Sequence, residues 1–170
     1  MWFKVAEQVA GNGVAGLVPV EPPHSIAQAR VDEKGRLKLP AEFLEYLKKL
    51  GVDKVFITTL DRQLARIYPI SVWKANENLF ADAGDLAETA EDVAYVAKVY
   101  GGDSEIDAQG RVLMPAALRR VIELESQPVF LDCYNGRINV SSKSVHEERL
   151  NRATANLPEK VKTLEKKGLK

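Results

Sequence analysis

The pattern Asp-x-x-Gly-Arg-x-x-x-Pro-Ala occurs twice in this chain of 170 residues, once at 32–41 and once at 107–116. The two copies keep the same five residue types in register. A short unit that recurs in this way indicates a duplicated structural unit. The sequence therefore predicts a pseudo-symmetric body, built from two tandem repeats, that presents the same loop twice.

Each repeat begins with a turn between two short apolar alternations. Asp at the first position and Gly at the fourth suit a type I turn, in which Gly is free to take a positive φ. Ala29 and Val31 precede the first turn, and Leu37 and Leu39 follow it. This alternation predicts a β-hairpin with a short loop.

A helix and two further strands complete each repeat. Proline suits the first helical position, where its missing N–H is not needed, so helices are predicted to start at Pro40 and Pro115. We expect the first helix to run to Leu50, with Gly51 as the residue that ends it. The later strands are predicted at 55–59 and 65–68 in repeat one and at 129–131 and 137–140 in repeat two. The fold class is therefore α+β, with a ββαββ plan written twice.

The chain divides into five predicted segments. Between the repeats, apolar residues at helical spacing predict an amphipathic linker helix. Adjacent prolines before the first repeat favour an extended connector. The segments are an N-terminal extension that is poorly ordered or accessory (1–24), the first repeat (25–80), the linker helix (81–100), the second repeat (101–153) and a charged C-terminal tail (154–170).

Composition narrows the class of protein. The formal net charge is +0, so binding to nucleic acid would need a local basic patch. One cysteine, Cys133, excludes an internal disulfide and fits a reducing compartment. No apolar run is long enough for a transmembrane helix. We expect a cytoplasmic protein with no membrane partner.

Candidate catalytic and cofactor motifs are weak. A formal Gly-x-Gly-x-x-Gly string at 11–16 would need to open a helix in order to bind a dinucleotide. Prolines at 19, 22 and 23 exclude that helix. Cys133 has no base at a recognisable spacing, and the sequence has no metal-ligand cluster. We therefore expect no cofactor, no metal site and no enzyme activity.

The first turn is predicted to be a small cationic surface. Residues two apart on a strand share a face, so Arg36 and Lys38 project together. Lys34 lies on the turn, and Arg30 lies near the mouth of the same hairpin. Over 30–38 there are four basic and two acidic residues. Clustered cations of this kind suit phosphate groups or the edge of a guanine.

Asp32 has two interpretations. It can hold Arg36 in position for bidentate recognition of a ligand. Alternatively, the two residues simply pair across one turn, and an exposed pair of this kind contributes only about 0–1 kcal/mol. The neighbouring cations favour the first interpretation, but the sequence leaves both open.

The second turn differs from the first in charge. Asp103 and Glu105 come before Asp107, and Leu113 stands where Lys38 stands in the first copy. Over 103–111 there are one basic and three acidic residues. We therefore expect the two turns to have diverged in role, with a substitution of Arg111 milder for ligand binding than one of Arg36.

At these residues the chain resembles the MraZ family, the tandem members of the AbrB-like transcription factors. The resemblance covers about 25–153 and includes Tyr68-Pro69 and Trp73 as well as the paired motifs. It implies two intertwined half-barrels, in which swapped hairpins form one β-barrel with peripheral helices, assembled as a ring of identical chains. It also implies that the chain is a nucleoid-associated regulator of the division and cell-wall gene cluster, which reads direct repeats in promoter DNA.

The resemblance assigns DNA contact to Asp32 with Arg36 and to Asp107 with Arg111. The family also commonly has an Arg three or four residues after the motif's Pro. The first repeat has Phe43 and Leu44 there, while the second keeps Arg119 and Arg120. This difference weakens the case for a second basic row in repeat one.

Two functions from different classes remain open on the sequence. In the first, the chain is a DNA-binding regulator that inserts the Arg36 hairpin into the major groove, with Lys34, Lys38 and Arg30 on phosphates; a two-stranded ribbon fits that groove. In the second, it is a non-catalytic, antitoxin-like or scaffold module with a protein partner. Arg36 would then have only a structural role.

Overall fold

The structure is a computed structural model that describes residues 19–170. The expectations for earlier residues, namely the order of most of the N-terminal extension and the glycine string at 11–16, lie outside the described residues. Residues 19–24 have no regular secondary structure. This agrees with the extended connector predicted from the adjacent prolines.

Pairs of strands are separated by helices along the chain, and the mixed α+β class is confirmed. The strands are β1 (Ala27–Arg30), β2 (Arg36–Lys38), β3 (Lys54–Thr58), β4 (Ala65–Pro69), β5 (Gly102–Glu105), β6 (Arg111–Leu113), β7 (Pro128–Tyr134) and β8 (Arg137–Ser142). The helices are α1 (Ala41–Lys49), α2 (Ile70–Ala81), α3 (Ala87–Tyr100), α4 (Ala116–Val121), α5 (Lys143–Thr154) and α6 (Leu157–Glu165).

The strands form two antiparallel sheets. The larger has six strands in the order β1-β7-β8-β4-β3-β5, and the smaller is a two-stranded ribbon of β2 and β6. Between β7 and β8 the chain turns at Asn135 and Gly136, which both have positive φ, as a two-residue hairpin loop requires. Among residues 19–170 the paired strands do not close into a barrel.

The two strands that flank each motif do not form the local hairpin predicted from the sequence. Between β1 and β2 the structure has an isolated bridge from Val31 to Leu37. Instead, β1 pairs with β7, β5 pairs with β3, and β2 and β6 pair with each other. Pairing across the repeats turns the apolar sides of these strands toward one shared core, and the larger buried apolar area favours it.

Both repeats contribute to that core. On the ribbon, Leu37 and Val112 point inward and are almost completely buried. Helix α1 supplies Phe43 and Leu47, and α4 supplies Leu118, all fully buried. A side chain of this kind contributes about 1.5–3 kcal/mol when it is fully buried. The ribbon is therefore held in place by the packing of its inward side chains against the core rather than by the pairing of its own two short strands.

The motif prolines lie one position earlier than predicted. Pro40 and Pro115 are N-cap residues with ψ near 148° and 139°, and each helix begins at the alanine that follows. The carbonyl of Pro40 accepts hydrogen bonds from the backbone N–H groups of Phe43 and Leu44, each at 3.0 Å. Gly51, with φ 71°, follows the C-cap residue of α1 as predicted.

Helices α2 and α3 cover one half of the large sheet. Within the linker helix predicted at 81–100, the structure has α3 from Ala87, preceded by a 3-10 turn at Gly84–Leu86, so the helix begins later than predicted. Phe56, on β3, stacks on Trp73 of α2 with ring centroids 4.5 Å apart. The Thr58 hydroxyl donates a hydrogen bond to the carbonyl of Ala97, on α3, at 2.7 Å. The sheet is thus sealed on this side by aromatic packing and a helix.

The chain ends in two helices. The sequence did not predict α5, which starts where the Ser142 hydroxyl accepts a hydrogen bond from the backbone N–H of Val145 at 3.3 Å. Within the predicted tail, α6 is helical, and all of its side chains are exposed. No helix in the described part of the chain is long and apolar enough to cross a membrane.

Candidate nucleic-acid interface

Asp32 closes the first motif loop on both sides. Its backbone N–H donates to the carbonyl of Arg36 at 2.8 Å. Its Oδ1 accepts from the backbone N–H groups of Lys34 and Arg36 at 3.0 and 2.9 Å. Its Oδ2 accepts from Nε of the Arg36 side chain at 2.9 Å. One carboxylate therefore fixes both the loop and the direction of the arginine.

The second motif loop has nearly the same geometry. Oδ1 of Asp107 accepts from the backbone N–H groups of Gln109 and Arg111, both at 2.9 Å. Oδ2 accepts from Nε of Arg111 at 2.8 Å. Both arginines are partly exposed, at 30% and 25% of the side-chain surface. In each loop the aspartate therefore accepts from Nε of a partly exposed arginine.

The hydrogen bonds that build the loops also keep the carboxylates charged. The backbone N–H of Arg36 is the main cause that lowers the pKa of Asp32, with its guanidinium acting in the same direction. Arg111 lowers the pKa of Asp107 in the same way. Both carboxylates are therefore ionised at neutral pH, and each arginine stays oriented by a full negative charge.

The two motif loops are joined to each other. The backbone N–H of Leu39 donates to the carbonyl of Gly110, and the backbone N–H of Met114 donates to the carbonyl of Gly35, both at 2.9 Å. Each strand of the ribbon therefore ends at the opposite loop. Backbone hydrogen bonds therefore link the two loops to each other.

The ribbon brings side chains from both motifs onto one exposed face. In its register Lys38 lies opposite Arg111, and Arg36 lies opposite Leu113. Leu37, between the two cations of β2, points inward, so these four side chains share the outward face. The expectation of two separate hairpin surfaces is wrong, because the strands that carry the cations pair with each other across the repeats.

The acidic residues before the second motif lie on a different strand. Asp103 and Glu105 are exposed on β5, and Asp103 lies 3.6 Å from Nζ of Lys54 on the neighbouring strand. Ser104, between them, points the other way and accepts a hydrogen bond from the backbone N–H of Leu113 at 2.9 Å. Because alternate residues face opposite sides, the two carboxylates point away from the ribbon.

The remaining predicted cations of repeat one are split between the loop and the large sheet. Lys34 is exposed on the first motif loop, next to the ribbon. Arg30 is exposed at the end of β1, opposite Pro128 of β7. The structure therefore brings together Arg36, Lys38 and Arg111, with Lys34 beside them, and puts Arg30 on another sheet.

Arg119 supports the first loop from beneath, a role that the sequence reasoning missed. Its Nε donates to the carbonyl of Met114 at 3.0 Å, and its Nη1 lies 2.9 Å from a carboxylate oxygen of Glu125. A Cβ added to Gly35 would lie 2.4 Å from the guanidinium carbon of Arg119. Under the second loop, the equivalent contact of Gly110 is with Leu44. Arg119, the arginine after Pro115 that the family resemblance drew attention to, therefore packs under a loop.

Other reactive groups in the described residues do not form a site. Burial raises the pKa of the Cys133 thiol to about 12, so it is a protonated packing residue at neutral pH. Residues 19–170 contain no cluster of three or more His, Cys, Asp or Glu side chains that could hold a metal ion. The motif ribbon, which the sequence did not predict, is where the structure brings the cations of both motifs together.

Comparison with known proteins identifies relatives that share one name. Proteins named transcriptional regulator MraZ match this chain from Acidobacterium capsulatum, with 38% identity over 59% of this chain and 68% of the relative, and from Koribacter versatilis, with 34% identity over 58% and 67%. A relative of the same name from a Thermoanaerobacter species is 33% identical over 76% of this chain and 87% of its own length.

No family model matches the chain. The relatives nevertheless match it at 33–38% identity over two thirds or more of their own lengths, and the duplicated motif has the same loop geometry in both copies. The resemblance seen in the sequence is therefore confirmed, and this chain belongs to the MraZ family.

Proposed function

We propose that the chain is a DNA-binding transcriptional regulator and that the outward face of the β2–β6 ribbon contacts double-stranded DNA. The observation that carries the proposal is the placement of Arg36, Lys38 and Arg111 on one face of a two-stranded ribbon. The relatives bear the name of a transcriptional regulator. Lys34, on the adjoining loop, adds a fourth cation within reach of a phosphate backbone.

The ribbon suits the major groove in size and chemistry. That groove admits a two-stranded β-ribbon, and the commonest specific contact there is an arginine fork on O6 and N7 of guanine. Asp32 and Asp107 bind Nε of their arginines, so the terminal nitrogens keep the direction that a base edge would need. Lys38 and Lys34 would neutralise phosphates, which supplies affinity without sequence information.

A single ribbon is a weak DNA ligand. The chain has a formal net charge of +0, so little long-range attraction adds to the few local contacts. We propose that several protomers in a ring engage successive direct repeats, since linked sites bind with a high effective concentration. The regulated promoter would be that of the division and cell-wall gene cluster, and the protein would act in the cytoplasm at the nucleoid.

The crossed strand pairing supports the finer fold proposal as well. Because β1 and β5 each join the strands of the other repeat, we propose that the two repeats form the intertwined, swapped-hairpin arrangement. The predicted division at 25–80 and 101–153 would then describe sequence repeats rather than separately folding domains.

The test is binding to a promoter fragment with tandem repeats, measured at two salt concentrations for wild type, Arg36→Ala and Arg111→Ala. A base contact is worth roughly 1–3 kcal/mol, so Arg36→Ala is expected to lose about ten- to a hundredfold in affinity. The composite face predicts a similar loss for Arg111→Ala. Lys74→Ala, at an exposed cation on α2, is the control and should bind normally.

The outcomes separate the two functions. If Arg36→Ala and Arg111→Ala both bind as wild type does, the ribbon is not the DNA surface, and a protein-binding module becomes the better explanation. If only Arg36→Ala is impaired, the two motifs have diverged in role, as their charges alone suggest. Light scattering without DNA must show unchanged assembly of both variants, so that a loss can be assigned to the contact.

A further inference from the structure

An open groove lies on the outer side of the large sheet, between β7 and α5. We call it the α5 groove; its volume is about 190 Å³. Its apolar lining includes two side chains that are more than half exposed, Ile26 at 57% and Leu150 at 54%. Phe130 forms the floor, where it stacks on His146 with ring centroids 4.0 Å apart. Two charged side chains of opposite sign, Asp132 and Arg149, also line it.

The same place in the other half of the sheet is filled. There Phe56 stacks on Trp73, and the Trp73 ring also contacts Tyr68 at 5.2 Å and Phe80 at 6.0 Å between centroids. Helices α2 and α5 start at equivalent places, just after β4 and β8. Counted from their N-cap residues, Pro69 and Ser142, the two halves can be compared position by position.

Smaller side chains open the groove in the second half. At the positions of Trp73, Tyr68 and Phe80 stand smaller residues, which are His146, Ser141 and Ala153. Three large aromatic rings are thus replaced while the phenylalanine floor is kept. The α5 groove is the space that those rings would fill, so its natural occupant is a set of bulky apolar side chains from elsewhere.

A helix covers the filled half, and no helix of the described part of the chain covers the open one. Helix α3 lies over β3, and the Thr58 hydroxyl donates to the carbonyl of Ala97 on that helix. Thr58 lies two positions after Phe56 on β3. The equivalent residue on β7 is Asp132, which lies two positions after Phe130. A carboxylate there accepts rather than donates, and Arg149 lines the same groove, so a covering helix should present a cation to Asp132 and can present an acidic group to Arg149.

Helix α6 has the surface that this groove requires. Leu157, Val161 and Leu164 recur at helical spacing on one side and are exposed at 43%, 37% and 55%. Lys160 flanks this stripe, four residues before Leu164. Three exposed apolar side chains in one row, bordered by a lysine, match an apolar groove whose charged lining residues are Asp132 and Arg149.

Helix α6 does not cover the groove of its own chain. It follows α5 as α3 follows α2, but only 155–156 connect α5 to α6, whereas 82–86 connect α2 to α3. The longer connection lets α3 fold back onto α2, while every residue of α6 remains exposed. Within residues 19–170, therefore, the apolar stripe of α6 has no partner and the α5 groove is covered by no helix.

We infer that α6 of a second copy of this chain docks into the α5 groove, with its apolar stripe on Phe130 and Leu150 and a lysine paired with Asp132. The helix and the groove are different surfaces, so the contact is heterologous and closes either as a reciprocal pair or as a ring. The inference rests on the proposed assembly of several protomers but not on the DNA contact, and mass measured without DNA tests it separately.

The first experiment compares the masses of two neighbouring variants by light scattering. Leu164→Glu puts a charge into the stripe, and Thr163→Glu puts the same charge beside it on a different side of α6. We expect Leu164→Glu to fall to a smaller species and Thr163→Glu to keep the wild-type mass. Leu150→Glu, in the groove, should behave as Leu164→Glu does. Unchanged masses for both leucine variants would overturn the inference.

The second experiment identifies the occupant by disulfide trapping in a Cys133→Ser background. One chain carries Leu150→Cys and another carries Leu164→Cys; oxidation of the mixture is expected to give a covalent dimer of the two. A chain with both substitutions that forms only a monomeric, internally linked product, together with no dimer in the mixture, would show that α6 folds back and would overturn the inference.

The N-terminal residues are the remaining competitor for the groove. In the Leu150→Cys chain, the rate of thiol alkylation reports whether the groove is covered. Leu164→Glu is expected to raise that rate at least several-fold, and deletion of residues 1–18 is expected to leave it unchanged. The opposite pattern would assign the groove to the N-terminal segment and refute docking by α6.

Discussion

Replacement of Gly35 by alanine tests how the first motif loop is supported. Gly35 has φ 81°, and an alanine in this left-handed region costs about 1–2 kcal/mol. Its Cβ would lie 2.4 Å from the guanidinium carbon of Arg119, so that side chain must move and lose its hydrogen bond to Met114. A hydrogen bond from a charged group contributes about 1.5–3 kcal/mol. We expect Gly35→Ala to lower the free energy of unfolding by about 2.5–5 kcal/mol.

Gly110→Ala is the matched control. Gly110 has φ 75°, so the conformational cost is the same, about 1–2 kcal/mol. Its Cβ would lie 2.6 Å from a terminal methyl of Leu44, which can rotate without breaking a polar contact. The assay is urea unfolding at one fixed protomer concentration, because assembly shifts the apparent stability. Gly35→Ala should be the more destabilising of the two.

A double-mutant cycle isolates the contact itself. In an Arg119→Ala background the guanidinium is absent, so Gly35→Ala should cost only the conformational part, about 1–2 kcal/mol. Gly110→Ala should cost the same in both backgrounds. Equal losses for the two glycine variants, with no coupling between Gly35 and Arg119, would refute the idea that the arginine supports this loop.

Two further predictions concern the ribbon. Folding lowers the pKa of Asp32 from its ordinary value of 3.8, so its ionised form stabilises the fold above that pH and the contribution is lost as the pH falls through the folded value. In urea unfolding, the stability difference between wild type and Asp32→Asn should be constant near neutral pH and should shrink below 3.8; a difference that grows with acid would contradict this. Leu113 is 52% exposed opposite Arg36, and an apolar side chain in the major groove contacts thymine methyls. One deoxyuridine substitution in the bound promoter should therefore weaken wild type several-fold and leave Leu113→Ala unaffected, and equal sensitivity of the two proteins would exclude that contact.

The local features of the fold could be predicted because they depend on neighbouring residues. The aspartate and glycine of each motif determine a turn through hydrogen bonds that span at most four residues. The strand pair around Asn135 and Gly136 and the helix ended by Gly51 were predicted for the same reason, since positive φ is a property of single positions. The burial of Leu37 beside exposed Lys38 follows from strand alternation alone.

The strand partners could not be predicted from the same information. Alternation tells which side of a strand is buried, but it is equally compatible with a local hairpin and with pairing across the repeats. The choice between these two strand pairings depends on the whole core, in which Leu37 and Val112 meet. The placement of Arg111 beside Lys38 therefore stayed hidden, although each residue had been singled out. The support by Arg119 was hidden for a similar reason, since its partner loop belongs to the other repeat.

The cross-pairing of β2 and β6 has a consequence for the order of events during synthesis. Residues up to Lys38 leave the ribosome long before Arg111, so a growing chain that contains the first motif still lacks the strand that completes the face. Neither half of the gene, expressed alone, encodes that face as the full chain forms it. The cationic surface thus forms only after both motifs of one polypeptide have been synthesised and their strands have paired.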